Sequence, residues 1–465
     1  MTRRDYLLKT GLGFGGLALA DLLSADSGAL SVKPPHQPAQ AKADIQLFMH
    51  GGASHVDTFD YKPELQKRSG ETLSFELAKT IKTSFIHDPT KAILRGSPWE
   101  FKPSGKSGLM ISELYKNLRE YADDLAVIKS CYSEQFDHAP AIYLMNTGSR
   151  FPGRPCLGSW VTYGLGSENQ DLPAFVVMSD GSTKSGPPAY SAGFLPAVYQ
   201  GTVFRGGESP ILHLNNPGGL PPAAQKDTLD FIGQLDRRHL AQGREYDSEL
   251  EARIASYELA FRMQAEAPEA IDISGESEAT KKLYGIDDPQ TEDFGRKCLL
   301  ARRLVERGVR FIQLISGTNV GADWDDAHTD LLGTMTRMCG KTDKPIAGLI
   351  ADLKARGMFD DTLVTWSSDF GRTPLSQGAT GRDHHPYGFS MWMAGAGIKG
   401  GQSIGETDDF GVHAAVDRFD AHDINATLLR LLGIDHEKLT YLYQGRDQSL
   451  TDVHGQSEFT SRLLG

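Results

Sequence analysis

Short apolar runs alternate with stretches of helical periodicity along most of the chain. Ile45–Met49 (IQLFM), Leu125–Lys129 (LAVIK), Ala174–Met178 (AFVVM), Val309–Ile315 and Leu363–Ser367 read as buried strands. Tyr246–Gln264 spaces Leu250, Ile254, Tyr257, Leu259, Phe261 and Met263 among charged residues, as one face of a helix does. Phe294–Arg307 reads as a second helix, and Lys344–Arg356 as a third that ends on Gly357, a residue suited to a helix C-terminus. Ile424–Leu432, with Gly433 behind it, reads as a late helix. This alternation predicts an α/β fold: an α/β/α sandwich around a mostly parallel central sheet, built from residues 43–465. Within it, 179–285 opens on a Gly-, Pro- and Ser-rich stretch and reads as an insertion or cap.

The first residues carry a different pattern. Arg3-Arg4 precede Tyr6-Leu7-Leu8-Lys9, an apolar Gly-rich run from Gly11 to Leu23, and a polar stretch to Lys42. This is the pattern of a twin-arginine export signal with its linker, and it predicts a periplasmic or cell-envelope protein. The run is too short for an ordinary transmembrane span, and no later segment reads as one. Of the 465 residues, 39% are hydrophobic and 23% charged, enough for a large buried core. The net charge of −12 argues against nucleic acid or an anionic membrane as partner. The four cysteines, Cys131, Cys156, Cys298 and Cys339, form no C-x-x-C pair, which argues against a disulfide scaffold or a Cys-rich zinc module.

In open α/β sheets the chemistry gathers at the carboxyl ends of the strands. Polar clusters fall there: His50 after the first strand, His138 after Leu125–Lys129, Asp323, Asp325, Asp326 and His328 after Val309–Ile315, and Asp369 after Leu363–Ser367. Asp383-His384-His385 follows in a Gly- and Arg-flanked loop. Imidazoles and carboxylates from separate strand ends are the usual ligands of divalent metals, and the mixture favours zinc or manganese over calcium. One or two ions are expected; two ions about 4 Å apart could hold the attacking and leaving oxygens of a phosphate or sulfate ester. Arg372 and Arg382 could grip its anionic group bidentately. The isolated His213, His239 and His454 read as surface or hydrogen-bonded residues, and His55 and Asp57 as supporting or structural ones.

Three stretches resemble the alkaline phosphatase and sulfatase superfamily. Ile346–Arg372 is similar to its helix, Gly turn, strand and Ser-Asp segment, with Asp369 at the metal-binding Asp and Phe370 where a ligand usually follows. His138-Ala139-Pro140 through Thr147-Gly148 is similar to the sulfatase signature, with His138 at the nucleophile position and Ile142 at the guiding Arg. Ala394–Gly401 resembles the glycine-rich run behind the metal site. The whole chain resembles an exported bacterial family called domain of unknown function 1501, through HGGASHVDTFD (His50–Asp60), YLMNTGSRFPGRPCLGSW (Tyr143–Trp160), WDDAH (Trp324–His328), SSDFGRTP (Ser367–Pro374), GRDHHP (Gly381–Pro386) and LTDVHG (Leu450–Gly455). The resemblance implies a metal-dependent hydrolase of small anionic esters or sulfated polysaccharide. By superfamily order, one metal site would draw on Asp325 or Asp326, His328, and His384 or His385. The second would draw on His50, His138 and Asp369. With no Ser, Thr or Cys at the nucleophile position, a metal-bound hydroxide would attack directly, or His138 would be the nucleophile. The alternative is a binding or assembly protein that keeps a degraded site.

Overall fold

The computed structural model describes residues 30–207, 210, 211, 214, 221–240, 248–318, 323–455 and 458–464. The export-signal expectation falls on residues outside these, apart from its polar tail. That tail packs along the domain: the Lys33 amide donates to Leu165 O (3.0 Å) and the Gln40 amide to Leu431 O (2.8 Å). Among the described residues no helix is long and apolar enough to cross a membrane.

Ten strands matter for the site: β1 (Ala43–Met49), β2 (Leu125–Cys131), β3 (Phe175–Ser179), β4 (Thr202–Phe204), β5 (Phe311–Ser316), β6 (Thr362–Ser368), β7 (Gly371–Gln377), β8 (Gly381–His385), β9 (Phe389–Gly395) and β10 (Gln402–Ile404). Eight of them form one sheet in the order β10-β2-β9-β6-β1-β5-β3-β4. β1 pairs in parallel with β5 and β6, and β3 does so with β4 and β5. Only β9, the apolar run Phe389–Gly395, lies antiparallel to its neighbours β2 and β6. The remaining two strands, β7 and β8, form a separate antiparallel hairpin beyond the end of β6. The loop expected around Asp383-His384-His385 is therefore a strand.

The central strand shows why the sheet needs cover on both faces. Ile45, Leu47 and Met49 enter one core cluster and Phe48 the other, and all four are buried. Burying such a side chain contributes about 1.5–3 kcal/mol, so exposing either face of β1 is costly. Helices α1 (His138–Thr147), α2 (Leu157–Leu165) and α5 (Ala421–Leu431) supply residues to the Phe48 side; α3 (Glu292–Glu306) and α4 (Leu331–Ala355) cover the other. The chain is an α/β/α sandwich with a mostly parallel sheet. Helix α4 begins well before the expected Lys344, because Asp330 caps it by accepting from the Gly333 amide (2.9 Å) and Pro345 is accommodated inside it.

The segment 179–285, over its described residues, touches both the sheet and the core. It adds β4 to the sheet edge and sends Met263, Ala267, Ala270 and Ile273 into the core beside α3 and α4.

Candidate metal centre

A helix, a turn and two strands deliver side chains to one point at the carboxyl ends of the strands. His138 is the first residue of α1. Asp325 and His328 sit in the short 3₁₀ turn Trp324–His328, where a three-residue spacing puts two side chains on the same side. That turn is fixed by a capping box, in which Asp323 accepts from the Asp326 amide and Asp326 from the Asp323 amide (3.2 Å), and Asp323 also accepts from the Trp324 amide (2.7 Å). His384 comes from β8, opposite Arg372 on β7.

These side chains meet at one carboxylate oxygen. Asp325 Oδ1 lies 2.9 Å from His138 Nε2, 3.0 Å from His328 Nε2, 3.0 Å from His384 Nε2 and 2.8 Å from the Arg372 guanidinium. The His328 and His384 Nε2 atoms are 2.7 Å apart. The Lys184 ammonium holds the other Asp325 oxygen and reaches Asp323 at 3.0 Å.

The far side of each ring decides what faces this point. His138 Nδ1 is 2.5 Å from Asp369 Oδ2, His384 Nδ1 is 2.6 Å from the Phe136 carbonyl, and His328 Nδ1 meets Gln377 Oε1. Each partner is an acceptor with no proton to give, so each Nδ1 carries the hydrogen. Three Nε2 lone pairs therefore converge on a carboxylate. Lone pairs facing an anion repel unless a cation lies among them. For His138 burial works against a proton, but Asp369 and Asp325 outweigh it and raise its pKa. For His384 burial dominates and its pKa falls to about 4, so a proton is a poor solution there. A multivalent cation satisfies all three rings at once, and hydrogen-bonded Nδ1 atoms are the usual support of metal-binding imidazoles. The donor set thus fits a metal ion.

Other expected residues lie around this point with different duties. Asp369 is buried. Its Oδ1 accepts from the Gly51 amide (3.1 Å) and Ser368 Oγ (3.1 Å), which leaves Oδ2 to orient His138. Burial pushes its pKa up, but the His138 and His50 imidazoles more than reverse this and hold it below the ordinary carboxylate value. His50 is fully buried, and its Nε2 accepts from the Lys184 amide (2.9 Å). That lone pair is spent, and Nδ1 faces Asp323 at 3.7 Å, so His50 adds no free donor to the cluster. Asp326 turns away to Arg337 (2.7 Å), which separates it from Asp325. Asp383 accepts from the His384, Phe85 and Ile86 amides.

Three expectations give way to the geometry. His385 is not brought to the cluster: consecutive strand residues face opposite ways, and its Nε2 meets the Val412 carbonyl beside His55. Arg382 is fully buried and bidentate to Asp57 (2.8 and 3.1 Å), a pair closed to substrate. Arg372 is also fully buried; it donates to the Gly51 and Gly52 carbonyls and to Asp325, fastening the turn after β1 to the site. Neither guanidinium is left for an anionic ester. Among the described residues a partly exposed cation that reaches the cluster is Lys184, which sequence reading missed; it sits in a Gly-, Pro- and Ser-rich stretch with no periodicity to mark it. Gln377 was missed as well, because only the β7–β8 hairpin brings it to His328.

The sequence matches the family described as "Protein of unknown function (DUF1501)" over residues 41–458. The chain belongs to that family. No curated protein matches it. Among solved structures it is similar to PsFucS1 sulfatase from Pseudoalteromonas sp., at 14% identity over 89% of this chain and 72% of that one, with a TM-score of 0.37. It is similar to Ps i-CgsB in complex with k-i-k-neocarrahexaose, at 10% identity over 90% and 75%, with a TM-score of 0.38. A TAB5 alkaline phosphatase mutant matches at 10% identity over 82% and 96%, with a TM-score of 0.32. At these scores the fold class stands on the chain's own sheet order.

Proposed function

We propose that this DUF1501 protein is a metal-dependent hydrolase of phosphate or sulfate monoesters. The observation that carries the reading is the convergence of the His138, His328 and His384 Nε2 lone pairs on Asp325. An imidazole-rich set suits zinc better than calcium, whose ligands are oxygens. A bound ion of this kind makes water a nucleophile near neutral pH and polarises an ester oxygen. His138, His328 and His384 would hold it, and Asp325 would be the exchangeable donor. Arg372 and Lys184 are already paired with its two oxygens, so Asp325 keeps charge partners when it yields its place to substrate. Asp325 is the most exposed carboxylate of the group, at 25%. Lys184 supplies the positive charge that meets the ester's anionic group.

The expected partner is a small anionic ester or sulfated polysaccharide, met in the periplasm after twin-arginine export. Changing Arg3 and Arg4 together to Lys should hold the protein in the cytoplasm, and unchanged export would oppose that route. A second reading, a non-catalytic metal-stabilised binding protein, draws on the absence of Ser, Thr or Cys at the position of His138. The test is to assay the full chain, loaded with zinc or manganese, on 4-nitrophenyl phosphate and 4-nitrophenyl sulfate. Hydrolysis that disappears with the metal supports the hydrolase. Stoichiometric metal without turnover of either ester supports the second reading.

A further inference from the structure

The loop around Phe85, in the connection between β1 and β2, presents an apolar ring to this polar site. Phe85 has 59% of its surface in solvent, yet its ring centroid lies 4.7 Å from that of His328 and 6.1 Å from that of His384, edge-on to both. Its backbone is held by the buried Asp383 carboxylate, which accepts from the Phe85 amide (2.7 Å) and the Ile86 amide (3.0 Å). Ser84 Oγ lies 3.3 Å from His384 Nδ1. Asp383 also accepts from the His384 amide (2.8 Å), so one carboxylate fixes an imidazole of the cluster and the exposed phenyl above it. A single exposed Phe is ordinary. One whose backbone is anchored to the residue beside a candidate ligand, with its ring against two of them, is placed for a partner. An aromatic ring in water beside imidazoles that would hold a cation fits the apolar C–H face of a cyclic alcohol whose anionic substituent reaches that point.

We propose that Phe85 is the platform for a pyranose ring, and that the substrates are phosphate or sulfate esters of sugars rather than of small acyclic alcohols. This rests on the ester-hydrolase reading of the same site. The test measures binding by calorimetry to the full-length, metal-loaded protein, using methyl glucoside 6-phosphate and 6-sulfate against ethyl phosphate and ethyl sulfate. The wild type should prefer the glucoside ester of one or both anions about tenfold, the scale of one good aromatic contact. Phe85→Ala should reduce that preference to near unity, and Phe85→Tyr should keep it. Metal content and melting temperature, measured alongside, should not change in either variant. Equal affinity for glucoside and ethyl esters in the wild type, an unchanged preference in Phe85→Ala, or no binding of any probe would overturn the platform. Hydrolysis of both ester classes at equal rates would leave the hydrolase standing without the platform. Phe85-dependent binding of the glucoside ester without turnover would leave the platform standing without the hydrolase.

Discussion

His384 and His385 are consecutive residues of one strand, and they belong to two regions of opposite character. His384 joins His138 and His328 around Asp325, where each Nδ1 is tied to an acceptor and each Nε2 is turned toward a shared point. His385 stacks on His55 with ring centroids 6.0 Å apart. There the pattern is reversed: each Nε2 donates to a backbone carbonyl, Val412 for His385 and Gly411 for His55, and each Nδ1 is buried without a partner. Among the described residues no carboxylate bonds to either ring of this pair. Burial instead lowers the pKa of His55 to about 4 and that of His385 to about 3, so both stay neutral. A buried histidine is thus read by what its two nitrogens face. Acceptors on one side and a shared anion on the other make a cation site, whereas a carbonyl on one side and nothing on the other makes core.

The largest contrast should appear in metal content. A His328→Ala, His384→Ala double variant should lose its metal completely, as measured by elemental analysis. A His55→Gln, His385→Gln variant should keep it while melting at a lower temperature. Metal lost from the second variant and kept by the first would erase the distinction. A smaller effect is expected one step out from the ligands. Asp369→Asn should weaken metal affinity roughly 10–100-fold in a chelator competition, because it disturbs the partner that orients His138. Unchanged affinity would mean that His138 needs no orienting group. Smaller again, Lys184→Met should raise KM for a phosphate or sulfate ester about tenfold, the scale of one charged hydrogen bond. A KM equal to wild type would remove Lys184 from anion binding.

The two regions also separate by pH. Above about pH 6.5 the His55 and His385 imidazoles are neutral both folded and unfolded. As pH falls from 6.5 toward 4, the unfolded chain takes up protons that the folded one refuses, so stability is lost on acidification. Each ring should contribute about 1.4 kcal/mol per pH unit across that window. Denaturant unfolding of the His55→Gln, His385→Gln variant should accordingly show a shallower decline than wild type. Identical slopes would show that the pair titrates freely in the folded state.

Much of the fold is legible in the sequence, and the reason is local. Strands such as Ile45–Met49 are continuous apolar runs because both faces of the sheet are covered, and the residue after each run falls at the end where chemistry collects. That reasoning reaches His138, His328 and Asp369, and narrows the rest to Asp325 or Asp326 and His384 or His385. It stops where side-chain direction depends on pairing. β8 carries a register shift between Arg382 and His384, and only the hairpin with β7 shows which of two neighbouring histidines turns inward. On the face turned away from the site, a Cβ at Gly371 would lie 2.4 Å from His55 Nδ1, so the glycine leaves that side to the His55–His385 pair. Arg372 and Arg382 look like anion grips in one dimension because nothing in their spacing reveals Asp57, or the Gly51 and Gly52 carbonyls that claim their donors. Lys184 and Gln377 are invisible for the converse reason: long-range packing alone brings them to the site.

The most direct test is the metal content of full-length protein purified without a histidine tag and without chelator. One set of converging Nε2 atoms, with the His50 lone pair already taken by the Lys184 amide, predicts one ion per chain, with zinc as the leading element. A chain that carries no stoichiometric metal, and takes up none when zinc or manganese is supplied, would contradict the central claim, and two ions per chain would contradict its single-ion form.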